Sequence, residues 1–317
     1  MISRRLIRIK ILQVLYAFYK SENSSVSNSE KELFFSLKKT YDLYNYLFQL
    51  ILDIARYAES RIELAKQKKI PTQEDLHPNT RFIDNRLIEQ LSKNYQLNKY
   101  LNENKLSWVN YPELIKKLFQ QIQEHEIYQA YMNNDHSPDY AADKKLITFV
   151  LEAIFAPSED LGGILEEQSI YWNDDVEFVI SMMIKTIRRF KEHDNEYVSL
   201  MSMFKNEEDR NFAKQLFRKS IVNHKDYSTL IEKYTRNWDV DRIAYMDIII
   251  MQQAISEVIE FPSIPTRVTF NEYIEISKYY STPKSSVFIN GILDKVVQEL
   301  KEKNIINKQG RGLIGEI

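Results

Sequence analysis

The chain has 317 residues, a formal net charge of -2 and no cysteine, which excludes disulfides, thiolate metal sites and cysteine nucleophiles. Only six residues are glycine, so phosphate-cradling glycine loops are disfavoured, and no apolar run approaches the roughly 18 residues of a membrane span. A hydrophobic content of 44% with 20 Tyr and 16 Phe supports a sizeable core, and scarce glycine with abundant Leu, Ile, Lys and Glu predicts an all-α protein placed in the cytoplasm.

The first predicted element is SRRLIRIKILQVLYAFYK, residues 3–20, in which Arg4, Arg5, Arg8 and Lys10 crowd a helix start with no acid before Glu22. Cations are unfavourable there, because a helix start already carries about half a positive charge. At about 100° per residue, Arg4, Arg5 and Arg8 share a stripe that continues through Ile11, Leu12, Leu15, Tyr16 and Tyr19. The apolar part must face a core, whereas unpaired guanidinium groups cannot be buried. These two demands predict a first helix whose initial turns overhang the domain, or unwind into an arm, and bind an external polyanion through bidentate arginine contacts. A solvated, frayed terminus is the plainer alternative. Lys10 and Gln13 interrupt the apolar part, which argues against a secretory signal, and the run into a core-type helix argues against a mitochondrial presequence.

Further along, Tyr44, Leu47, Phe48, Ile51, Ile54 and Ala55 recur at helical spacing. Residues 146–184 hold no Lys or Arg but contain Glu152, Glu159, Asp160, Glu166, Glu167, Asp174, Asp175 and Glu177, giving an acidic middle between basic ends. Residues 171–187 and 237–255 share a Trp, an Asp and an apolar helix pattern. Buried helices with anchoring Trp and capping Asp account for this more simply than an ancient duplication. Phe212, Leu216, Phe217, Val222, Leu230, Ile231 and Tyr234 predict helix over 212–234. In all, about ten or more helices and no sheet are expected.

The segment STPKSSVFINGILDKVVQEL, residues 281–300, predicts a helix capped by Ser285 or Ser286. Gly291 inside it costs roughly 1 kcal/mol relative to Ala, so a close approach by a backbone or ligand is expected there. Hydroxyls, Lys284 and free helix-start N–H groups suit a phosphate, and Phe288 could stack on a base, although core packing is its simpler role. The five histidines are scattered, Glu124-His125-Glu126 lacks zinc-helix spacing, and adjacent acids such as Asp174-Asp175 point apart on a helix. Neither an enzyme nor a metal or cofactor is expected.

These motifs resemble those of the NusB family of bacterial transcription antitermination factors. The family opens with an arginine cluster and a Leu-Gln-x-Leu-Tyr pattern, matched by Arg4, Arg5, Arg8, Leu12, Gln13, Leu15 and Tyr16. Its C-terminal patterns are matched by Phe270-Asn271-Glu272 and by Phe288-Ile289-Asn290-Gly291-Ile292-Leu293-Asp294, with Asn237, Trp238, Asp239 and the Asp247 helix between the two ends. The resemblance implies an all-helical, non-enzymatic RNA-binding protein that pairs with NusE, a small-subunit ribosomal protein. The pair would bind single-stranded boxA-type RNA in ribosomal RNA transcripts and join the RNA polymerase elongation complex. Carried over, the RNA-binding residues are Arg4, Arg5, Arg8, Lys10, Gln13, Tyr16, Lys284, Ser285, Phe288 and Asn290, and Asp247 lies at a protein-partner position. Members often carry an acid where this chain has Lys284 and arginines where it has Ile248 and Gln252. The expected organisation is a basic arm and first core helix over 1–20, a helical insertion or second helical layer over 21–206, the core over 207–300 and a basic, glycine-containing tail over 301–317. A homo-oligomer is compatible with this reading. The rival is a protein-interaction scaffold without specific RNA binding, motivated by the acidic middle.

Overall fold

The structure, a computed structural model, describes residues 1–21, 25–133, 139–235 and 244–315. Among these residues there are fifteen α-helices and no strand, in line with the glycine-poor composition. The chain divides into two compact units: one comprises Met1 and Lys38–Met203, the other Ile2–Leu37 and Phe204–Ile317. Acidic residues outnumber basic ones in the first, and basic outnumber acidic in the second. No helix among the described residues is long and apolar enough to cross a membrane.

The first unit is organised around the part of α2 (Val26–Lys66) that follows Leu37, with α3 (Gln73–Leu76), α4 (Arg86–Lys93), α5 (Tyr95–Asn104), α6 (Pro112–Glu124), α7 (Glu126–Met132), α8 (Tyr140–Phe149), α9 (Glu159–Gln168) and α10 (Val176–Arg189). Leu43, Leu47, Leu50 and Ile54 of α2 lie in its core, as their three- and four-residue spacing requires. Trp108 stacks on Tyr46 at 3.9 Å and donates to the Tyr46 carbonyl. Trp172 is buried and donates to the Lys39 carbonyl, which is the anchoring role expected of it. Asp175 stands at the N-cap of α10 without a capping bond; its carboxylate accepts from Thr40 instead. The other half of the suspected repeat, Trp238 and Asp239, lies outside the described residues.

The second unit contains α1 (Arg4–Lys20), α11 (Glu207–Val222), α12 (His224–Thr235), α13 (Tyr245–Glu260), α14 (Thr266–Tyr280) and α15 (Ser285–Glu302). The helix expected over 212–234 is broken at Asn223, where the α11 C-cap departs from helical geometry. Helix α13 is buried along most of its length, so α1, α11, α12, α14 and α15 all pack on it. Beyond α15 the chain returns as a strap. The Gln309 N–H donates to the Pro262 carbonyl at 3.0 Å. The buried Lys308 ammonium donates to the carbonyls of Val258 and Phe261 at 2.9 and 3.3 Å; the Val258 carbonyl has no N–H four residues on, since Pro262 stands there, and the Phe261 carbonyl also accepts from the Ile264 N–H.

Glu299 ties α15 to α12, accepting from Lys233 at 2.9 Å and Tyr234, while Lys303 reaches it at 2.6 Å. Hydrogen bonds from Lys233, Lys303 and Tyr234 pull its carboxyl down to about 2. A carboxyl whose folded pKa is depressed adds stability above its unfolded value, near ~4.3, and loses it as pH falls through the folded value. Thermal melts should therefore show stability draining away between about pH 4.5 and 2, less steeply in Glu299→Gln.

Candidate nucleic-acid interface

Helix α1 starts at Arg4, with the Ser3 hydroxyl accepting from the Leu6 N–H. Leu6 and Ile7 are buried, so the first turns neither overhang the unit nor unwind into an arm. The expectation failed because it required the arginines to be unpaired. Arg8 and Lys10 are only 3% and 1% exposed, so neither offers its cation to solvent as the polyanion reading supposed. Arg8 Nε and Nη2 donate to Glu257 Oε2 and Oε1 at 2.7 and 2.6 Å. Thr269 and Tyr273 hydroxyls donate to the same carboxylate at 2.9 and 3.0 Å, and Gln253 donates to the Arg8 carbonyl. Burial opposes the Arg8 cation, but the charge and hydrogen bonds of Glu257 outweigh it and raise its pKa. Burial, then the Glu257 charge, pushes the Tyr273 hydroxyl well above its ordinary value.

The other two arginines are also paired. Arg4 Nε donates to Asp209 Oδ1 at 2.9 Å and Nη2 to Glu208, and its guanidinium lies 5.1 Å from the Phe212 ring centre. Arg5 Nε and Nη2 donate to the two oxygens of Glu272 at 2.8 and 2.9 Å. Glu272 Oε2 also lies 3.6 Å from Arg8 Nη1. The Arg5 hydrogen bonds lead the causes that hold the Glu272 carboxyl below the usual range. The helix start tolerates its cations because α11, α13 and α14 bring four acids to them.

Sequence reasoning missed these pairings, although Glu272 lies in the matched Phe270-Asn271-Glu272 motif. Glu257 left a trace: it is a lone carboxylate in an otherwise apolar and neutral run from Ile248 to Ile259, and a buried acid requires a partner.

The start of α15 is built differently from expectation. Lys284, not a serine, is the N-cap residue, and it makes no side-chain cap. Ser285 is buried at the first helical position; its hydroxyl donates to Asp247 Oδ2 at 2.8 Å, and the Ser281 hydroxyl also donates to Asp247. Asp247 is buried, so its carboxylate props the 281–285 loop rather than standing open to a partner. Lys284 is exposed, and Phe288 and Asn290 are half-buried, with Asn290 donating to Asp294 at 3.2 Å. Gln13 is half-buried and Tyr16 exposed, its ring 6.0 Å from that of Tyr245. Gln252 is buried between His224 and Ser228.

A methyl group at Gly291 would meet no described atom within 4 Å, so the fold itself does not require the glycine. Gly291→Ala is expected to stabilise the second unit by about 0.5–1 kcal/mol, read as a higher denaturant midpoint.

Residues 176–298 match the family profile described as "NusB family". The matched range reaches back to α10 and does not include α1. Curated relatives titled "Transcription antitermination protein NusB" align with the chain. The protein of Salinibacter ruber is 41% identical over 106 residues, 33% of this chain and 66% of its own length. That of Chloroherpeton thalassium is 42% identical over 105 residues, 33% of this chain and 50% of its own. That of Natranaerobius thermophilus is 49% identical over 72 residues, 23% of this chain and 52% of its own. The chain thus spans between half and about two thirds of the length of these relatives. No solved structure matches it.

Proposed function

The chain carries a NusB-family region over residues 176–298, and from that premise we propose that it is a non-enzymatic, RNA-binding transcription antitermination factor. In this reading it acts in the cytoplasm with NusE on boxA-type RNA of ribosomal RNA transcripts, within the RNA polymerase elongation complex. The observation that carries the reading is the exposed, uncapped Lys284 at the start of the 18-residue α15, on a loop whose serines are held by Asp247. A cation beside free helix-start N–H groups attracts phosphate, and Phe288 stands one turn further along to receive a base. Asp247 keeps this loop in shape by accepting from the Ser281 and Ser285 hydroxyls, and in this reading the Lys284 ammonium meets the phosphate. The surplus of basic over acidic residues in the second unit favours polyanions there.

The test is binding of a short boxA-type RNA and a scrambled RNA of equal length across a salt series, with and without NusE. Preference for the boxA sequence is expected. Lys284→Glu should weaken both RNAs and flatten the dependence of log affinity on log salt by about 0.7 or more. Equal affinity for the two RNAs would sink the boxA assignment.

The scaffold reading keeps one specific support: Glu152, Glu159, Glu166, Glu167 and Glu177 of the first unit are exposed within a stretch free of Lys and Arg. It predicts a protein partner that co-purifies unchanged with Lys284→Glu and after ribonuclease treatment.

A further inference from the structure

The three motif arginines are alike in sequence and unlike in their surroundings. Arg8 is locked: it and Glu257 are both buried, joined by two hydrogen bonds, and Thr269 and Tyr273 hold the same carboxylate. Withdrawing Arg8 would strand a charge in the interior, which is strongly unfavourable. Arg4 is clamped: it spans Asp209 and Glu208 and lies over Phe212, and the Asp209 side chain is only 11% exposed. Its release would give up two carboxylates and a ring.

Arg5 differs in two respects. Its side chain is 53% exposed, and Glu272, the acid it hydrogen-bonds among the described residues, is 20% exposed; Glu275 adds only the attraction of its charge. Glu272 also has a second cation at hand, because its Oε2 stands 3.6 Å from Arg8 Nη1. If Arg5 turned away, Glu272 would remain 3.6 Å from the guanidinium that Glu257 already holds, and water would reach the charge left over. Partly solvated ion pairs of this kind are worth only ~0.2–1 kcal/mol, and an arginine fork fits phosphate as well as carboxylate.

We infer that Arg5 is the exchangeable arginine of the three: a phosphate of single-stranded RNA takes the place of Glu272 on its guanidinium, while Glu272 stays beside the Arg8 cation that it shares with Glu257 and in part contact with solvent. Glu272 is therefore a built-in competitor that sets the affinity of this end of α1 for phosphate, and Arg4 and Arg8 are structural. The inference rests on the RNA-binding reading above and assigns roles that the motif alone leaves equal.

The experiment compares wild type, Glu272→Gln, Arg5→Gln and Arg4→Gln on the boxA-type RNA and its scrambled counterpart across a salt series, with thermal melts of each protein. Glu272→Gln should bind both RNAs roughly two- to fivefold more tightly at low salt and stay folded, since Arg8 keeps Glu257. Arg5→Gln should bind more weakly, with a salt slope shallower by about 0.7, at near wild-type melting temperature. Arg4→Gln should melt earlier with an unchanged slope. A slope that falls with Arg4 rather than Arg5, or no gain in affinity for a folded Glu272→Gln, overturns the inference. Because phosphate exchange is independent of sequence, equal binding of the two RNAs would remove the boxA assignment and leave the inference standing. Binding of neither RNA by wild type would overturn both.

Discussion

Arg8→Met is expected to destabilise the second unit by about 3–5 kcal/mol, a fall in melting temperature of roughly 6–20 °C for a unit of this size. Methionine retains much of the stem volume, so lost packing against Phe212 and Tyr273 is a minor part of the change. The major part is Glu257, which is fully buried and would keep only the Thr269 and Tyr273 hydroxyls. Two neutral donors do not replace a bidentate guanidinium. Removing the stranded charge as well, in Arg8→Met with Glu257→Leu, should recover part of the loss, because a buried ion pair can often be exchanged for apolar groups at little net cost. A double-mutant cycle in urea measures this. An Arg8→Met protein with wild-type stability would show that the pair is not what anchors α1. The contrast with Arg5→Gln is then informative: one arginine of the motif sets the melting temperature and its neighbour sets the salt slope.

Gly312→Ala is expected to act at the opposite end of the chain. A methyl group there would overlap the carbonyl oxygen of Pro262, with Ser263 also close behind it. Backbone cannot move aside as a flexible side chain can, so the strap must lift. Lifting it breaks the Gln309–Pro262 hydrogen bond and draws the Lys308 ammonium from the carbonyls of Val258 and Phe261. Overpacking of this kind typically costs about 1–3 kcal/mol. Amide hydrogen exchange should show loss of protection at Gln309 and around the Phe261–Pro262 corner, with α1 and α11 little affected. Lys308→Met, which removes the ammonium but not the fit of Gly312, should give a smaller loss confined to the end of α13. Full retention of protection in Gly312→Ala would mean that the strap contributes nothing to the fold.

The helices could be read from the sequence because helical periodicity is local: Tyr44 to Ala55 and Phe288 to Leu300 carry their apolar stripes within a few turns. What the sequence concealed was pairing over long separations. Nothing near Arg8 announces Glu257, which lies 249 residues away, so on the sequence alone the three arginines read as an exposed stripe. At the start of α15 the residue types were right and their roles were exchanged, since Ser285 is already inside the helix and its hydroxyl turns back to the loop, donating to Asp247 and accepting from the Thr282 N–H. Gly291 misled in another way: its helix cost is real, but the open space around it does not identify what approaches.

The second unit is assembled from two stretches of chain, Ile2–Leu37 and Phe204–Ile317, and this has a consequence for biosynthesis. At roughly 5–20 residues per second, the ribosome reaches Glu257 about 12–50 s after it has made Arg8. During that interval every residue of the first unit is translated, then α11, while α1 has its apolar face and its cations but not yet α13, α14 and α15. The nascent chain must therefore keep its own beginning from engaging other partners until its end arrives, and the lone guanidinium of Arg8 disfavours premature burial of α1 in any pocket that lacks an acid to meet it.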